Sequence, residues 1–161
     1  MAGMFPTMVS DPNDPNRRFR VEAGDQWPSN LRVSFYMICT AAVLMLVTAM
    51  MLLALGFPGD PANESLRASY MMNMRVTAYG NSVLAVLLVS AASYFRQGSR
   101  TARRLAAACV ALTLFLNVTA YILRLTSWAS MVVVILLALA MLFAFRPDAN
   151  AFVEKHSPRF V

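Results

Sequence analysis

Four stretches of this chain, residues 33–57, 76–95, 105–123 and 126–145, are nearly unbroken runs of apolar side chains. Each is close to the ~20 residues an α-helix needs to cross a hydrocarbon core of roughly 30 Å. That length restricts the fold more than any other feature. In lipid a backbone must satisfy its own hydrogen bonds, which helices do and isolated strands do not. The runs also lack the in–out alternation of a lipid-facing barrel. An all-α, integral membrane fold with four transmembrane helices is expected, with the first and longest run tilted or projecting. Domain limits follow: an N-terminal arm over 1–32, a transmembrane domain over 33–145 and a C-terminal tail over 146–161.

Composition agrees. Hydrophobic residues make up 58% of the chain and charged ones 14%, with a mean hydropathy of +0.55; soluble domains run at ~45–50% and ~25%. About thirty polar residues precede the first run, unlike a cleavable signal with its short basic start and short apolar core, so the first span is expected to be retained.

The basic residues orient the spans. Arg17, Arg18, Arg20 and Arg32 precede the first run. Arg96, Arg100, Arg103 and Arg104 separate the second and third, and Arg146, Lys155 and Arg159 follow the fourth. Those eleven share one side, against Arg67, Arg75 and Arg124 on the other. Such a bias predicts both termini in the cytoplasm. It also accounts for the net charge of +6 without a nucleic-acid partner. Trp27, Tyr36, Tyr94, Phe95 and Phe145 fall near the inner interface, and Phe57, Tyr70, Tyr121 and Trp128 near the outer one.

The connections carry their own signals. "RLTS" leaves a very short outer turn between the third and fourth spans, which predicts an antiparallel hairpin. Pro58, Gly59, Asp60 and Pro61 carry turn chemistry, after which "NESLRASYMMNM" can continue as helix into the second span. Asn63-Glu64-Ser65 is formally a glycosylation sequon. The arm, with "DPNDPN" and "RRFR", reads as a solvated positive flank, or alternatively as a docking arm anchored by Phe5, Phe19 and Trp27. The tail "RPDANAFVEKHSPRF" poses the same choice.

Several chemistries find no residues to carry them. All eight acidic residues lie outside the runs, whereas a proton relay needs an ionisable group at membrane depth. His156 is the one histidine, so bis-histidine haem ligation and Cys/His zinc sites within the chain are ruled out. No nucleophile elbow or phosphate-cradling glycine loop occurs. Cys39 and Cys109 read as buried free thiols. Met50, Met51, Met71, Met72 and Met74 approach the outer side and are soft ligands that suit Cu(I), although methionine also simply fills irregular apolar space. No catalytic residue, cofactor or metal is expected.

One polar constellation remains. Asn81 is six residues inward of Arg75 and Asn117 seven inward of Arg124. At 1.5 Å per residue both asparagines lie about 9–10 Å deeper than their arginines. Thr113, Asn117 and Tyr121 are spaced i, i+4 along one face, as are Thr77 and Asn81, and Ala107 and Ala111 allow close approach. Asparagine in hydrocarbon needs a partner, so polar contacts joining spans two and three are the economical reading. A lipid or quinone pocket lined by Arg75, Tyr79, Asn81, Asn117, Tyr121 and Arg124 is the alternative.

In its four spans, orientation, size and Ala/Val/Leu/Met/Arg-rich texture, the chain resembles the small four-helix accessory subunits of actinobacterial respiratory supercomplexes. In those a cytochrome bc complex is joined to a cytochrome oxidase. The resemblance implies a non-catalytic subunit of the plasma membrane supporting assembly or stability of the larger complex, with those redox subunits and lipids as partners. A small oligomeric transporter or channel, and an accessory factor for a cell-envelope synthesis enzyme, are the alternatives.

Overall fold

The computed structural model describes residues 26–58 and 64–157 and is all-helical over them. The helices are α1 (Ser29–Ala54), α2 (Glu64–Ser93), α3 (Arg100–Ile122), α4 (Ala129–Ala144) and α5 (Pro147–His156), with a 3-10 turn at Tyr94–Gln97. α1 packs on α2 and α4, and α3 packs on the same two, so the helices form a closed square with consecutive members side by side. Residues 1–25 of the N-terminal arm, Gly59, Asp60 and Pro61 of the expected turn, Asn63 of the sequon and Arg159 lie outside the described residues.

Three helices are long and apolar enough to cross a membrane: α1, α2 with its 3-10 extension, and α3. A fourth candidate arises when α4 and α5 are taken together across a bend of 62°. By itself α4 has 16 residues, about 24 Å of helix, shorter than the run 126–145 predicts. Its end is set by Pro147, which occupies the first turn of α5. A residue preceding proline is pushed out of the helical region, and Arg146 is extended at φ −61°, ψ 154°. The longest helix is α2 rather than the first. Its 30 residues include the polar segment after Glu64, which continues the helix well outside the apolar run.

Two Schellman motifs close the short connections. At the α2–α3 junction Gly98 takes φ +66°, its N–H donates to the Phe95 carbonyl, and the Ser99 N–H reaches that of Tyr94. Ser99 then caps α3 by accepting from the Ala102 N–H at 3.3 Å. At the α3–α4 turn Arg124 takes φ +55°, with Arg124 and Leu125 donating to the carbonyls of Tyr121 and Ala120. Both arrangements satisfy helix-end carbonyls that would otherwise be orphaned.

The interior is built from small residues. Alanine supplies nearly half of the buried apolar positions, among them Ala41, Ala85, Ala92, Ala106 and Ala140, while Val43, Met50, Val83, Phe115 and Leu142 face outward. Helices that associate in lipid gain nothing from hiding apolar surface and rely on close packing, which small residues permit. The core runs beyond the apolar runs at the end where α1 begins, because Leu31 before the first and Ala149, Phe152 and Val153 after the last belong to the main cluster.

Candidate functional site: a buried asparagine pair and an end capped by α5

The six residues of the sequence constellation separate into two groups. Asn81 and Asn117 are buried, at 0% and 1% exposure. The Asn117 Nδ2 donates to Asn81 Oδ1 at 2.9 Å and to the Thr113 carbonyl at 2.9 Å. The Asn81 Nδ2 returns a longer bond to Asn117 Oδ1 at 3.5 Å. α2 and α3 come close beside this pair, since a Cβ on Gly80 would stand 2.9 Å from Leu116 Cδ2.

Arg75, Tyr79, Tyr121 and Arg124 are instead exposed. The geometry of a helix explains the split. At 100° per residue, Tyr79 is about 200° around α2 from Asn81. An i to i+4 step overshoots a full turn by about 40°, so Tyr121 leaves the face that buries Thr113. The contact side of α3 lies one residue, about 100°, from the expected alanines: Ala106 and Val110 are buried, Ala107 is partly so, and Ala111 faces out.

Four other hydroxyls inside the apolar helices are satisfied within their own turn, whereas the buried Ser34 of α1 and Ser130 of α4 find no described partner. The hydroxyls of Thr48, Thr77, Ser82 and Thr113 each donate to the carbonyl four residues earlier. The five methionines flanking the α1–α2 connection divide. Met74 is buried with Ala49, Leu52 and Ala78, and Met71 packs against that cluster; Met50, Met51 and Met72 lie on the exterior. Cys39 and Cys109 are free thiols.

A second assembly closes the end of the bundle where α1 begins and α5 lies. The segment read as a solvated tail or docking arm folds into α5 and turns back beneath the bundle. Asn30 Nδ2 donates to Asp148 Oδ2 at 2.9 Å, tying the start of α1 to α5. Arg103 donates from Nη1 to the Ala144 carbonyl at 3.3 Å and to Asn150 Oδ1, and its guanidinium lies 4.7 Å from the centre of the Phe145 ring. Asn150 Nδ2 caps the Phe145 carbonyl at 3.0 Å. Ser157 Oγ donates to the Gly98 carbonyl at 2.9 Å and accepts from the Arg100 N–H at 3.3 Å. Two signals in the sequence point here: Gly98-Ser99 as a helix stop and start, and Ala149, Phe152 and Val153 at the i, i+3, i+4 spacing of an amphipathic helix.

No protein-family model matches this chain, and no curated protein or solved structure matches it.

Proposed function

We propose that this chain is a non-catalytic accessory subunit of the plasma membrane, crossing it four times with both termini inside. In this reading it supports the assembly or stability of a larger membrane complex. The observation that carries it is the distribution of side chains: the two buried amides inside the bundle, Asn81 and Asn117, are spent on each other, while large apolar residues cover the outside. A bundle of that kind offers lateral faces to other helices and to lipid. Its inner end holds Arg32, Arg96, Arg100, Arg103, Arg104, Arg146 and Lys155, against Arg67, Arg75 and Arg124 at the other, and the positive-inside rule puts the richer end in the cytoplasm.

The resemblance in span number, size and texture makes a respiratory assembly of cytochrome bc complex and cytochrome oxidase the partner to test first. The experiment is gentle detergent extraction of the tagged chain at native expression, followed by mass spectrometry and an absorption spectrum of what co-purifies. Haem-bearing membrane subunits are expected with it, and deletion of the chain should lower the yield of that complex. A pure homo-oligomer that moves a solute across liposomes would overturn the proposal in favour of a transporter.

A further inference from the structure

At the inner end, where α1 begins and the 3-10 turn meets α5, lies an open cavity of about 560 Å³ lined by Trp27, Arg32, Tyr36, Arg96, Phe152 and His156 among others. The Arg32 guanidinium lies 5.5 Å from the centre of the Trp27 ring, and the indole is held in turn by an edge contact to Phe35 at 5.8 Å. That fixes one cation on a wall of the cavity while its N–H groups stay unspent. Arg96 enters from the 3-10 turn on the other side. The His156 ring is pinned 4.2 Å from the Phe152 ring with Nδ1 on the Phe152 carbonyl at 2.9 Å, which leaves Nε2 as its second polar atom.

Among the described residues, the carboxylates at this end have other partners: Asp148 accepts from Asn30, and Glu154 stands 4.0 Å from Arg100. Two guanidiniums therefore converge on a concave surface with no described counter-ion. Guanidinium is the group best shaped to take phosphate oxygens. Above the cavity, Tyr36, Thr40, Val43, Val47 and Met50 are exposed in succession along α1, at the spacing of a single helix face. A charged cavity at the foot of an apolar stripe matches the two halves of an anionic phospholipid.

The geometry points to a binding site for the phosphate of an anionic phospholipid between Arg32 and Arg96, with an acyl chain along the Tyr36–Met50 face of α1. The site takes lipid only where this end of the bundle sits at the inner interface, as proposed above. The shared chemistry is a phosphate group, so a soluble phosphate is the competing source.

The test uses the full chain in detergent, with native mass spectrometry and thermal denaturation in the presence of phosphatidylglycerol, phosphatidylcholine or inorganic phosphate. Retention of phosphatidylglycerol over phosphatidylcholine is expected. Loss of either arginine should weaken it about five-fold, the scale of one basic residue at an anionic surface. Arg32→Gln/Arg96→Gln should abolish the preference, Arg32→Lys/Arg96→Lys should restore part of it, and Arg67→Gln at the far end should leave it intact. No preference in the native chain, or a preference that survives the double glutamine variant, overturns the site. Equal stabilisation by inorganic phosphate without lipid overturns lipid as its source. Carbonate washing of membranes separates the two levels of failure. A chain that stays in the membrane yet shows no preference loses only this site, whereas release by carbonate removes the embedded reading itself.

Discussion

Replacing Asn117 with leucine should cost more stability than replacing Asn81, although the two side chains bond to each other. The reason is what each substitution strands. Asn81 has its described hydrogen bonds only with Asn117, so Asn117→Leu leaves a wholly buried amide with no partner. Asn117 keeps its bond to the Thr113 carbonyl, so Asn81→Leu orphans its oxygen and one of its two N–H groups and leaves the amide partly satisfied. A buried polar group left unsatisfied costs about 1–3 kcal/mol. The expectation is roughly 2–3 kcal/mol for Asn117→Leu and roughly 1–2 for Asn81→Leu. Leucine shares the γ-branched shape of asparagine, so the double variant replaces the polar contact with an apolar one. It should lose less than the two singles together, by a coupling of about 0.6–1.7 kcal/mol, the span measured for hydrogen bonds between membrane helices. Reversible unfolding in mixed micelles, read by tryptophan fluorescence and circular dichroism, gives all four corners of the cycle. Equal single losses that add within about 0.3 kcal/mol would refute the reasoning.

Gly98→Ala should destabilise by at least the roughly 1–2 kcal/mol of a left-handed non-glycine residue, because the new Cβ would also stand 2.7 Å from His156 Cβ. Limited proteolysis should then cut within α5 faster than in the native chain, and unchanged cleavage would argue against the docked helix. For topology, in a background with Cys39 and Cys109 replaced by alanine, a cysteine at exposed Gln97 should resist an impermeant thiol reagent in intact cells. One at Ser65 should react, and the reverse pattern would invert the proposed orientation.

Much of the architecture is present in residue order alone. The apolar runs locate the helices α1 to α4, since in a bilayer both length and backbone hydrogen bonding constrain what an apolar segment can do. Gly98-Ser99 marks the break between α2 and α3, because a left-handed C′ position and a side-chain N-cap each favour few residue types. The matched depth of Asn81 and Asn117 pairs α2 with α3 by arithmetic along two antiparallel helices. Which face of each helix turns inward is harder to read. In a helix that is apolar all round, the periodic contrast marking the core of a soluble protein is weak, so Tyr79 and Tyr121 were grouped with asparagines whose faces they do not share. The end closed by α5 was decided by tertiary structure. Pro147 sets a bend, but Asn30, Gly98, Arg103 and Asn150 come from distant parts of the chain. Their contacts exist only once the bundle has brought three helix ends to one level and left carbonyls there for α5 to cover.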